Sequence, residues 1–162
     1  MFDSIDILVN NASTFYPTPI EEISEEHWTK LIGSNLKGPL FLIRGLKDKL
    51  KKSGGSIINI TDTNLSKGVA NYSIYSAAKG GLESITKGLA RELAPEITVN
   101  AIAPGEVETS ILSPGTNEIV DALPLQRLGQ PSEVASAIYF LCSGQSSYIS
   151  GTEIQVNGAQ HV

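Results

Sequence analysis

Asp62 stands thirteen residues before Tyr75, and Lys79 follows that tyrosine by four. The stretch from Gly54 to Pro95 reads as an apolar strand, a polar loop and an amphipathic helix. Positions i and i+4 share a helix face, so the Tyr75 hydroxyl and the Lys79 ammonium can enter one cleft. A cation beside a phenol favours phenolate, so the Tyr75 pKa is expected to fall from about 10 toward working pH. A carboxyl group arriving from the strand end completes a trio suited to giving a proton to a substrate under reduction.

These groups need elements to hold them. The pattern predicts strands at 5–10, 56–61, 97–103 and 153–157, with helices at about 24–52, 72–94 and 131–143. Strands alternating with helices imply an α/β fold with a doubly wound parallel sheet covered on both faces. The runs IDILV, SIINI and ITVNAIA are nearly continuous in apolar character, as strands buried on both sides should be. Ligands of such a sheet sit outside the carboxyl ends of its strands. Four segments converge there: Asn10–Phe15, Thr61 with Asp62, the Tyr75/Lys79 pair, and Pro104–Thr109. Asn11, Ala12 and Ser13 are small enough to let a ligand approach backbone; Pro104-Gly105 turns the chain sharply, and Gly105 can take a positive φ. Phe15 lies in a loop instead of a strand, placing an aromatic ring at the rim. The Pro-, Gly-, Ser- and Thr-rich region 105–130 is expected to be a loop acting as a lid.

The first helix carries an apolar stripe of Trp28, Leu31, Ile32, Leu42, Ile43, Leu46 and Leu50, with Asn35 on the same face. Four residues after Asn35 comes Pro39, which has no N–H to give to the Asn35 carbonyl. That carbonyl is expected to be free in mid-helix to bind a water. The helix of Tyr75 also contains Ala77, Ala78, Gly80 and Gly81, and each glycine costs about 1 kcal/mol of helix stability against alanine. Close approach of another backbone would offset that cost.

Composition limits the alternatives. The 162 residues suit one domain, with 41% hydrophobic and 18% charged residues. The net charge of −5, with no basic cluster beyond Lys47–Lys52, argues against nucleic acid as a partner. A single cysteine, Cys142, cannot form an internal disulfide and is expected to pack as a buried thiol. His27 and His161 lack metal-ligand spacing, so no metal is expected. No membrane-spanning run or leader pattern is present, and a cytoplasmic enzyme is the expectation.

With NNAS at 10–13, Asn35, Tyr75/Lys79 and Pro104-Gly105 in this order and spacing, the chain resembles the short-chain dehydrogenase/reductase superfamily. The resemblance covers residues 5–158 and implies a Rossmann-like sheet and a nicotinamide cofactor. It implies cofactor contacts from Asn11, Ala12, Ser13, Thr61, Tyr75, Lys79, Pro104 and Gly105, with Lys79 on the ribose hydroxyls. It further implies catalysis by Asp62, Tyr75 and Lys79, a water held at Asn35 for proton relay, and a homo-oligomer, dimer or tetramer, in the full-length protein. Where the superfamily usually has serine, this chain has Asp62. That substitution, the aromatic at Phe15 and the stretch FLCSGQSSYISGTEIQVNGA resemble pteridine reductases.

That likeness implies NADPH-dependent reduction of a pteridine held by Ser13, Phe15, Asp62 and Tyr75. A carboxyl group can accept from ring N–H groups and, with a pKa raised by burial, relay a proton. Two alternatives stay open: a reductase of oxoacyl or steroid carbonyls, and a non-catalytic truncated subunit. The family's opening strand and glycine-rich phosphate turn have no counterpart in the sequence. The chain is therefore expected to be the C-terminal portion of a Rossmann-like domain, with strand 5–10 as an exposed edge, weak cofactor binding and little turnover alone.

Overall fold

The computed structural model describes residues 2–109 and 116–161. Four parallel strands, β1 (Ile7–Asn10), β2 (Ser56–Ile60), β3 (Thr98–Pro104) and β4 (Glu153–Val156), form one sheet in the order β1-β2-β3-β4. Ile57 pairs with Leu8 on one side and with Val99 on the other. The helices are α1 (Glu25–Ile32), α2 (Gly38–Ser53), α3 (Ser73–Glu92), α4 (Thr116–Ala122) and α5 (Pro131–Leu141). Local chemistry sets several of their ends. The Ser24 side chain accepts from His27 N–H at the start of α1. Gly54 closes α2 in the left-handed region at φ 65°. Pro131 and a reciprocal Gln130–Glu133 capping box open α5.

Neighbouring residues of β2 face opposite layers. Ile57 joins Leu8 and Val99 against Ile43 and Leu50 of α2 and Ala90 of α3. Ile58 and Ile60 join Ile102 against Leu141 of α5. Burying each such side chain contributes about 1.5–3 kcal/mol, so the sheet is held from both faces. β1 is different. It lies at the sheet edge, with Leu8 and Asn10 buried and Ile7 and Val9 exposed. No helix among the described residues is long and apolar enough to cross a membrane.

The predicted helix 24–52 is divided. Between α1 and α2 the chain forms a π-helical turn over Gly33–Lys37, with the Gly38 N–H donating to the Gly33 carbonyl. Pro39 cannot close an α-helical bond to Asn35, and widening the turn accommodates the loss. The extra residue also breaks the phase of the predicted stripe. Leu31, Ile43 and Leu50 are buried, whereas Trp28 and Leu42 are about half exposed. The predicted loop 105–130 contains α4 and a bridge between Val107 and Gly129, so it is structured at both ends. Its residues 110–115 lie outside the described part of the chain.

Candidate active site

The carboxyl end of β2 delivers Asp62, and the first turn of α3 delivers Tyr75. Their side chains meet directly: the Tyr75 hydroxyl donates to Asp62 Oδ2 at 2.7 Å. Asp62 Oδ1 accepts from the Asn64 N–H at 2.8 Å, which fixes the carboxylate at the start of a short 3-10 turn, Thr63–Ser66. Lys79 lies one turn after Tyr75 and is buried; its Nζ donates to the Ile60 carbonyl at 2.7 Å. That ammonium sits 5.9 Å from the Tyr75 ring centroid. The three groups proposed from sequence therefore share one cleft.

Their electrostatics correct the expectation for the phenol. Burial first, then the Asp62 charge and its hydrogen bond, push the Tyr75 pKa well up; the Ser13 hydroxyl opposes them weakly. The nearest formal charge to the phenol is the carboxylate, not the lysine, so phenolate is disfavoured in this state. Burial pushes Lys79 down to about 8, against the pull of Asp62. Tyr75 thus rests as a protonated phenol aimed at a base, and Lys79 titrates close to neutrality.

The loop after β1 forms the opposite wall. Asn35, on the π turn, is buried and holds this loop through its side chain. Its Oδ1 accepts from Ser13 Oγ at 2.6 Å, and its Nδ2 donates to the Thr14 and Leu31 carbonyls, each at 2.9 Å. The amide is consumed in positioning Ser13 and Thr14, a role that spacing alone did not disclose. Asn11, Ala12 and Ser13 are exposed, which keeps their backbone open to a ligand. Phe15 is 62% exposed, stacks on Tyr72 at 4.6 Å and meets Tyr75 edge-on at 4.9 Å. Tyr72 escaped the sequence reading; an aromatic three residues before Tyr75, on the same helical side, was the available signal.

Two predicted cofactor residues serve differently. The Thr61 hydroxyl is buried, its single proton shared between the Ile102 carbonyl at 3.0 Å and Glu153 Oε1 at 2.5 Å. Its N–H donates to the same Ile102 carbonyl at 2.9 Å, so neither its hydroxyl nor its N–H remains for a ligand. Gly105 does not use the positive φ open to a glycine. Glycine is needed there because a Cβ would lie 2.5 Å from Gln160 Oε1 and 2.9 Å from the Asn157 Cα. Pro104 ends β3 beside it, partly exposed. Asn59 and Asn100 were also missed: each is a buried amide inside a strand that reads as apolar.

A parallel sheet with a tyrosine–lysine helix face and a carboxyl group at its strand ends places these groups where a Rossmann-like fold binds its ligands. Lys79 spends one donor on Ile60, leaving two N–H groups suited to vicinal ribose hydroxyls, so the residues present fit the nicotinamide-ribose end of a cofactor. Residues 1–161 match the family described as enoyl-(acyl carrier protein) reductase. The protein FixR of Bradyrhizobium diazoefficiens is 42% identical over 96% of this chain and 59% of its own length. A 3-oxoacyl-[acyl-carrier-protein] reductase, FabG of Vibrio cholerae, is 37% identical over 99% of this chain and 68% of its own. A Brucella melitensis crystal structure, described as a short-chain dehydrogenase/reductase of glucose/ribitol dehydrogenase type, superposes with a TM-score of 0.90 at 38% identity. It covers 98% of this chain, which spans 65% of it. The chain belongs to the short-chain dehydrogenase/reductase family.

Proposed function

We propose that the whole protein is an NADPH-dependent reductase of 3-oxoacyl thioesters. Support comes from relatives named 3-oxoacyl-[acyl-carrier-protein] reductase and acetoacetyl-CoA reductase, 37 to 39% identical over nearly the whole chain. The observation that carries catalysis is the Tyr75 hydroxyl held protonated in the cleft, with Lys79 one turn behind it. The cofactor supplies the hydride to the carbonyl carbon. Tyr75 gives its proton to the carbonyl oxygen, so no free alkoxide has to form. Lys79 binds ribose hydroxyls and, with a pKa near 8, stands beside the phenol as it recovers a proton. Asn35 fixes Ser13 and Thr14, which holds the loop after β1 in place opposite Tyr75.

A second reading rests on Asp62. An ionised carboxylate beside a carbonyl oxygen opposes charge building there, whereas it accepts readily from the N–H groups of a pteridine. Exposed Phe15 supports that reading, because stacking a flat ring on it is worth about 1 kcal/mol beyond area burial. Exposed Leu40, Phe41 and Leu42 on α2 support assembly into a homo-oligomer in either case.

One assay separates the substrates. Acetoacetyl-CoA and dihydrobiopterin are offered to the whole protein with NADPH or NADH, before and after Asp62→Ser. Thioester turnover kept or raised by the substitution supports the first reading. Pterin turnover abolished by it supports the second, and turnover of neither substrate sinks both.

A further inference from the structure

The cleft has a fourth wall that the reaction above does not use. Segment 155–161, at the end of β4, ties the Asp62 turn to Glu106 and Leu125. Asn157 Nδ2 donates to Thr63 Oγ1 at 2.6 Å, and Thr63 Oγ1 donates to Gln155 Oε1 at 2.7 Å. Lys67 Nζ donates to the Gln160 carbonyl at 3.2 Å, while Gln160 Oε1 accepts from the Glu106 N–H at 3.0 Å. Gly158, at φ 57°, admits Leu125 so closely that a Cβ there would lie 3.2 Å from its side chain. His161 Nε2 lies 2.8 Å from Asn64 Oδ1. A carboxamide oxygen only accepts, so the imidazole donates through Nε2. Its Nδ1 is buried and meets no polar partner among the described residues, which agrees with the proton resting on Nε2. The Asn64 N–H in turn donates to Asp62 Oδ1.

We propose that His161 is a positioning residue: acting through Asn64, it sets the direction of the Asp62 carboxylate and couples it to Glu106 through segment 155–161. Asn64 is the hinge of this arrangement, holding the imidazole with its side chain and the carboxylate with its backbone. Freed from His161, the 63–66 turn can rotate and carry Asp62 away from Tyr75. The consequence for turnover rests on the reductase reading; the mechanical link does not.

The test compares His161→Ala with His161→Gln, whose amide can still donate to Asn64. Two readouts are taken on the whole protein: the NMR resonance of the Asn64 backbone amide, and kcat for acetoacetyl-CoA and dihydrobiopterin. With His161→Ala, the amide resonance should move away from its carboxylate-bonded position, and kcat should change in the direction that Asp62→Ser changes it: a fall of roughly tenfold for dihydrobiopterin, as a sub-ångström misplacement permits, and no fall for acetoacetyl-CoA. His161→Gln should restore both, and cofactor KM should stay unchanged in each variant. An Asn64 resonance indifferent to His161→Ala overturns the proposal, and so does equal loss in both variants. If the unmodified protein turns over neither substrate, the reductase reading fails and the amide resonance alone decides the link.

Discussion

Two polar clusters hang from α3, and they behave oppositely. Near its start, Tyr75 and Lys79 face Asp62 at the strand ends, and each keeps hydrogen-bonding capacity beyond its single protein partner. About two turns further on, Thr86 closes a chain in which Asn10 donates to Asn59, Asn59 to Thr86, and Thr86 to the Leu82 carbonyl. This second cluster is buried between β1, β2 and α3 and meets no open surface. Burial of polar side chains is therefore not the mark of a site in this molecule. Spare donors and displaced pKa values at a strand end are, and they occur only in the first cluster of the two.

The contrast can be broken most severely at Tyr75. In the whole protein, Tyr75→Phe should lower kcat by about 10²–10⁴-fold while leaving the circular dichroism spectrum and cofactor affinity unchanged. Retained turnover would transfer proton delivery to another group.

Lys79 gives the next largest effect, read as stability against pH. Its folded pKa of about 8 lies below the ordinary 10.5, so between these values the unfolded chain holds more protons. Stability should therefore rise from pH 8 to 10.5, by at most about 3 kcal/mol, and lie flat below 8 where both states are protonated. The raised Tyr75 pKa acts in the other direction, only above pH 10. Urea unfolding midpoints of the wild type and Lys79→Met at pH 7.5 and 10 measure the difference; identical slopes would refute a depressed lysine.

The second cluster supplies the control. Thr86→Val strands the Asn59 amide and should cost about 1–3 kcal/mol of stability without altering kcat, as checked by denaturant melts beside a turnover assay. The smallest effect belongs to the rim. Phe15→Ala should raise KM for dihydrobiopterin about fivefold, corresponding to one stacking contact, and leave KM for acetoacetyl-CoA unchanged. Equal changes for both substrates would mean that Phe15 shapes the cleft instead of stacking on a ring.

Periodicity and composition determined the βαβ order, the parallel sheet and the convergence of Asp62, Tyr75 and Lys79, because strand and helix repeats are local properties of the chain. The i, i+4 rule alone put tyrosine and lysine on one face. It gave no electrostatic environment, and so the sign of the Tyr75 shift was misjudged: only the fold brings the carboxylate closer to the phenol than the ammonium and buries both. Pro39 was legible as a lost donor, yet only the packed structure resolved that loss into a π turn, beyond which Leu42 lies off the core. Gly105 read as a turn glycine, but the close neighbours it accommodates, the Asn157 Cα and the Gln160 side chain, lie more than fifty residues away. The link from His161 through Asn64 to Asp62 was invisible for the same reason. Contacts across that much sequence are set by how strands stack side by side, which no local pattern encodes.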